Sequence, residues 1–117
     1  MTLTEYIESN GIERIDLLKI DVELHEPEVI EGFGLYLTKF KPIIFIEVLT
    51  NEVANKLNEL FLQADYEYFH LLERYKLQKV ESLFKAEDLR WNFLLCPHKR
   101  TEELEIILNL INDNNES

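Results

Sequence analysis

The sequence predicts one α/β domain built on a mainly parallel sheet. Short β-branched apolar runs alternate with stretches whose apolar residues recur at helical spacing. Strands joined by helices of such length cross over right-handedly and lie parallel. The length of 117 residues fits one domain, and a hydrophobic fraction of 46% is too high for a disordered chain. Residues 1–112 read as that domain and 113–117 as a disordered tail.

The elements follow in order. Thr2 can cap a short helix that Gly11 ends in a left-handed turn. Ile15–Asp21 reads as a strand buried on both faces. Pro27 opens a helix carrying Val29, Ile30, Phe33 and Leu37 on one side, and Pro42 closes it. Ile43–Val48 is strongly β-branched and reads as a second strand. Asn51 caps a helix over 52–64, striped by Val53, Leu57, Leu60, Phe61 and Ala64. Tyr66–Leu71 is a third strand, Tyr75–Val80 a candidate further one, and Ser82–Leu89 an irregular excursion. Trp91–Cys96 is a strand ended by Pro97, free to enter antiparallel because little helical period precedes it. Thr101 caps a last helix.

Composition excludes several function classes. Twelve Lys and Arg against 23 Asp and Glu give a net charge of −11. Nucleic acid and anionic membranes both need a basic face, so neither is expected as a partner. The single cysteine, Cys96, rules out an internal disulfide or a cysteine zinc cage, and reads as a core thiol. No apolar run approaches the roughly 18 residues of a membrane span, and no signal peptide is evident, so a cytoplasmic location is expected.

Candidate chemistry concentrates at Lys19–Glu28, past the end of the first strand. In open α/β sheets ligands bind outside the carboxyl ends of the strands. Period two puts Lys19, Asp21 and Glu23 on one side of an extended chain. A buried lysine flanked by carboxylates forms an ion pair, and a strand-end carboxylate can accept a ligand hydroxyl or amine. The plainer alternative is that Lys19 and Asp21 neutralise each other while Glu23, Glu26 and Glu28 decorate a helix N-terminus. Glu47, near the end of the second strand, either faces the same crevice or pairs with Lys19. His25 is an acid/base candidate or a solvated loop histidine. His25, His70 and His98 make no metal-ligand spacing, and no metal is expected.

The run Ile15–Gly32, containing Leu-Lys-Ile-Asp-Val-Glu, resembles the signature of FkbM-family methyltransferases. Lys41–Val48 resembles the family's next strand, Thr2–Ile7 the preceding helix and Asn92–Pro97 the last strand. The resemblance implies the C-terminal half of a Rossmann-like methyltransferase fold. That half has about four mostly parallel strands with helices on both faces, and its last strand enters antiparallel between the family's fifth and sixth. It also implies S-adenosylmethionine-dependent, mostly O-directed methyl transfer to a small-molecule or glycan acceptor. Asp21, Glu23 or His25 would orient or deprotonate the acceptor, with Lys19 and Glu47 supporting them.

Two departures stand out. The glycine-rich turn after the family's first strand, and the acid that holds the cofactor ribose, have no counterpart here. The chain is therefore expected to be a fragment or shortened homologue, inactive alone, that does not bind S-adenosylmethionine by itself. Leu24 stands where the family run has glycine, so the loop is expected to differ in shape. A homo-oligomer or a complementing N-terminal half is the expected partner. The alternative is a non-catalytic dimerisation or partner-binding domain derived from that fold.

Overall fold

A computed structural model of the chain describes residues 2–20, 25–62, 64–72, 76–87 and 90–106. Helix α1 (Leu3–Asn10) has a complete capping box: Thr2 Oγ1 accepts from the Glu5 N–H, and the Glu5 carboxylate accepts from the Thr2 N–H. Gly11 ends it at φ 60°. Strand β1 (Leu17–Ile20) follows. The helix expected between Pro27 and Pro42 is two helices, α2 (Glu26–Phe33) and α3 (Tyr36–Phe40). The break falls at Gly34, whose φ of 58° disfavours any side chain. A Cβ there would also come within 3.1 Å of Thr4 Oγ1. That hydroxyl donates to the Gly32 carbonyl at 2.7 Å, so α1 is fastened to α2 by the same small residues.

Strand β2 (Ile43–Glu47) leads to helix α4 (Asn51–Phe61). The cap is Thr50 and not Asn51: Thr50 Oγ1 accepts from the Val53 N–H, while Asn51 Oδ1 accepts from the Lys85 N–H. Strands β3 (Tyr66–Leu71) and β4 (Leu77–Val80) form a hairpin. Residues 81–87 are irregular, as expected, and lead toward β5 (Asn92–Pro97). A 3-10 turn (His98–Arg100) runs into a helical segment over 101–106. Thr101 does not cap by accepting; its hydroxyl lies within bonding distance of Glu67 and of the His98 carbonyl. The expected 113–117 tail lies outside the described residues.

The five strands are ordered β1-β2-β5-β3-β4. Only β1 and β2 pair in parallel; the other three pairings are antiparallel. The expected mostly parallel sheet of about four strands is therefore corrected. The crossovers do point β1, β2 and β3 the same way, but β5 enters between β2 and β3 in the opposite sense and replaces their parallel pairing. The hairpin strand β4 adds the fifth strand.

Alternation along the strands divides the sheet into two faces. Ile20, Ile44, Ile46, Phe93 and Leu95 meet α1 to α4 in the main core, with Ile7, Phe33, Leu57 and Phe61. Phe69, Cys96 and Leu104 form a smaller cluster on the other face, joined by Ile43, Leu77 and Leu94. Cys96 is the buried thiol expected, and burial pushes its pKa up to about 11. His70 is a core histidine, stacked on Phe93 and bonded through Nε2 to the Arg90 carbonyl at 2.6 Å. The first strand departs from expectation. Leu17 is 66% exposed and Lys19 is exposed, because β1 is an edge strand and its outer face is open among the described residues.

Two polar clamps hold the irregular parts. Asn58 bonds the Leu83 backbone twice, accepting from N–H at 2.8 Å and donating to C=O at 2.9 Å. Asn58→Ala leaves both groups half-buried without a protein partner, so denaturant unfolding should show a loss of about 1–3 kcal/mol. Glu67 is the second clamp. The Thr101 hydroxyl, Lys79 and His98 bond its carboxylate and hold its pKa down to about 2. A depressed carboxylate contributes stability above its ordinary value, here 4.5, and loses it as pH falls toward about 2. Glu67→Gln should flatten the acid limb of the stability profile over that window, as measured by thermal unfolding at a series of pH values.

Candidate functional site

The parallel pair β1–β2 creates the crevice at the sheet's carboxyl ends. Ile20 pairs with Ile46, so Glu47 is one residue beyond the last described pair. Helix α2 begins at Glu26, six residues after the last residue of β1. The described residues at this end of the sheet are the end of β2 and the first turn of α2.

Of the expected residues, Asp21 and Glu23 lie outside the described residues, as does Leu24. His25 is exposed immediately before α2 and makes no side-chain capping bond. Glu47 is half-buried opposite Asn92 of β5. Lys19 does not occupy the sheet interior. It projects beside Phe45 from the open face, and it makes no ion pair with a described residue. The expected Lys19–Glu47 pair is therefore not formed. An edge strand lets the ammonium stay in water, which removes the need for a buried partner.

The residue that sequence reasoning missed is Glu26. Read as helix decoration, it is instead 1% exposed, with Oε2 buried and no hydrogen-bond partner. Loss of water is the main cause of its raised pKa. Its own backbone N–H and His25 pull the value down; the Glu47 and Glu28 carboxylates push it up. The only sequence signal was its place at the first helical position before Pro27, where the chain must turn back onto the sheet. Chemically, this end of the sheet offers a buried carboxyl whose pKa is raised, a second carboxyl at Glu47 and an exposed imidazole at His25. Among the described residues no group of three or more His, Cys, Asp or Glu could hold a metal.

Grooves also lie elsewhere among the described residues. One is lined by Glu67, Phe69, Lys79, His98, Thr101 and Leu104, and its carboxylate is already saturated by its neighbours. Another between α2 and α4 is lined by Pro27, Glu28, Glu31, Lys56 and Glu59.

The methyltransferase FkbM domain matches residues 1–75, from α1 through β3, including both walls of the crevice. The chain belongs to the FkbM methyltransferase family. No curated protein and no solved structure gives a significant match. An FkbM methyltransferase is expected to use S-adenosylmethionine, but the residues present here do not fit the nucleoside end of that group. A Rossmann-like site needs a glycine turn between strand and helix. The connections from β1 to α2 and from β2 to α4 contain no glycine, while Gly11 and Gly34 end helices and Gly32 lies against Thr2 inside α2. No helix among the described residues is long and apolar enough to cross a membrane.

The site has a pH signature. A carboxyl with a raised folded pKa binds more protons folded than unfolded, so its contribution to stability falls as pH rises above the ordinary 4.5. Glu26→Gln removes that loss. Relative to the parent, the variant should gain stability as pH rises above 4.5 and then level off once the folded carboxyl has ionised, as measured by chemical denaturation at a series of pH values.

Proposed function

We propose that this chain is the acceptor-side half of an FkbM-type methyltransferase, directing a methyl group from S-adenosylmethionine to an oxygen nucleophile. In this reading Asp21, Glu23 or His25 orients or deprotonates the acceptor. Glu47 supports them from β2, and Lys19 supplies positive charge from the neighbouring strand. The observation that carries the reading is that the family match spans both parallel strands and the first turn of α2. The chain by itself lacks the partners for the adenosine. A complementing N-terminal half would supply them.

A second reading is a non-catalytic pairing module, and one observation favours it. β1 has a single strand neighbour among the described residues and presents Leu17 at 66% exposure. An open apolar edge recruits another strand. Leu18 faces the core side, so Leu17→Lys is the variant that tests this surface.

Calorimetry separates the two readings. With S-adenosylmethionine, the chain alone should show no saturable low-micromolar binding. Mixed with a separately produced N-terminal half of an FkbM methyltransferase, it should bind. Tight binding by the chain alone would overturn the half-site reading. No binding with the added half, together with a light-scattering mass above 14.0 kDa that Leu17→Lys returns to the monomer, would establish the pairing module.

A further inference from the structure

Asn10 and Gly11 form the only Asn-Gly step in the chain. It falls at the end of α1: Asn10 is the last helical residue, and Gly11 takes the left-handed stop at φ 60°. Both residues are exposed. Nothing lies within 4 Å of the point where a Cβ on Gly11 would sit, so no neighbouring group crowds the junction. Two hydrogen bonds hold its polar groups. The Gly11 N–H donates to the Ile7 carbonyl, and Asn10 Nδ2 donates to the Tyr6 carbonyl at 2.9 Å. Both bonds belong to the last turn of an eight-residue helix, where opening costs least.

We infer that Asn10 is a site of spontaneous covalent modification, losing its side-chain amide through a cyclic imide formed with the Gly11 nitrogen. In the opened turn the Gly11 nitrogen attacks Asn10 Cγ. The N–Cγ bond forms, the Cγ–Nδ2 bond breaks, and the Gly11 proton leaves with the ammonia. Water then opens the five-membered imide: cleavage at Cγ leaves aspartate, and cleavage at the main-chain carbonyl leaves isoaspartate. Ring closure joins neighbouring groups of one chain, so proximity replaces a catalyst and water is the sole co-reactant. A side chain on the following residue hinders the attack, and Asn51, Asn55, Asn58 and Asn92 are each followed by one. Those four also lie in α4 or β5, and Asn51 and Asn58 bond the backbone of residues 83–85. The product acts on the fold. α1 has no basic residue in its last turn, so a new carboxylate there meets the negative end of the helix dipole unopposed. The change loosens the helix that Thr4 fastens to α2. The inference goes beyond the methyl-transfer reading and does not depend on it.

The test is incubation of the intact chain at mildly alkaline pH and body temperature, with digestion and mass spectrometry at intervals. A synthetic peptide of residues 6–14 is incubated beside it. The fragment holding Asn10 should gain one mass unit and separate into aspartate and isoaspartate forms, before any fragment holding Asn51, Asn55, Asn58 or Asn92 changes. The rate in the folded chain should lie within about tenfold of the synthetic peptide's, because a terminal turn opens readily. In urea the two rates should coincide. Asn10→Gln, which needs a larger ring, should abolish the gain. Asn10→Asp, which carries the product's charge, should unfold at a lower denaturant concentration than the parent. No gain at Asn10 while the synthetic peptide converts completely would overturn the inference. So would a folded-chain rate below that tenfold range, earlier conversion of another of these asparagines, or a gain that persists in Asn10→Gln. An Asn10→Asp variant as stable as the parent would overturn the stated effect on α1.

Discussion

The structure depends on the insertion of β5 between β2 and β3. Phe93, Leu95 and Cys96 are fully buried in that strand, and their neighbours on both sides are antiparallel. Backbone groups in such a position have no recourse to water, so both ladders must form together. The insertion also decides where the crevice lies. With β5 running against its neighbours, β1 and β2 are the only adjacent strands whose carboxyl ends emerge side by side. Glu47 ends β2 there, and no other adjacent pair in the described sheet is parallel.

Packing around β5 explains why the two faces differ. Helices α1 to α4 gather on one face over Ile44, Ile46, Phe93 and Leu95. On the other, Leu104 of the 101–106 segment joins Phe69 and Cys96. The Glu67 clamp fastens that segment: its carboxylate ties β3 to Lys79 of β4, to His98 and to Thr101. Tyr66 adds a buried bond from β3 to the Pro42 carbonyl at the start of β2, bridging the strand that separates them. Of these polar contacts, the Tyr66 bond spans β5, while the Glu67 clamp ties β3 to β4 and to the segment that follows β5.

Much of this was legible in the sequence, and the failures have physical causes. The Thr2 cap and the Gly11 stop act within one helix, so local chemistry suffices to read them. The direction of β1, β2 and β3 follows from crossover length. Which strands become neighbours is a long-range choice: the lack of helical period before Trp91 left the last strand free to run antiparallel, and only the family resemblance placed it between two others. The break at Gly34 depends on Thr4 of another helix, which periodicity cannot see. Lys19 was expected inside because its neighbours are apolar; its exposure is a property of the sheet edge. Glu26 inverts the same error. A glutamate at a helix start normally faces water, and only the packing of α2 on the sheet shows that this one does not.

The position of β5 is tested most directly by cross-strand proton contacts in a nuclear Overhauser experiment. The account predicts contacts between Ile46 and Phe93, between Ile44 and Leu95, and between Tyr68 and Leu95, in the antiparallel pattern. Direct backbone contacts between β2 and β3, with β5 at an edge of the sheet, would contradict it and would remove the argument for a crevice unique to β1 and β2.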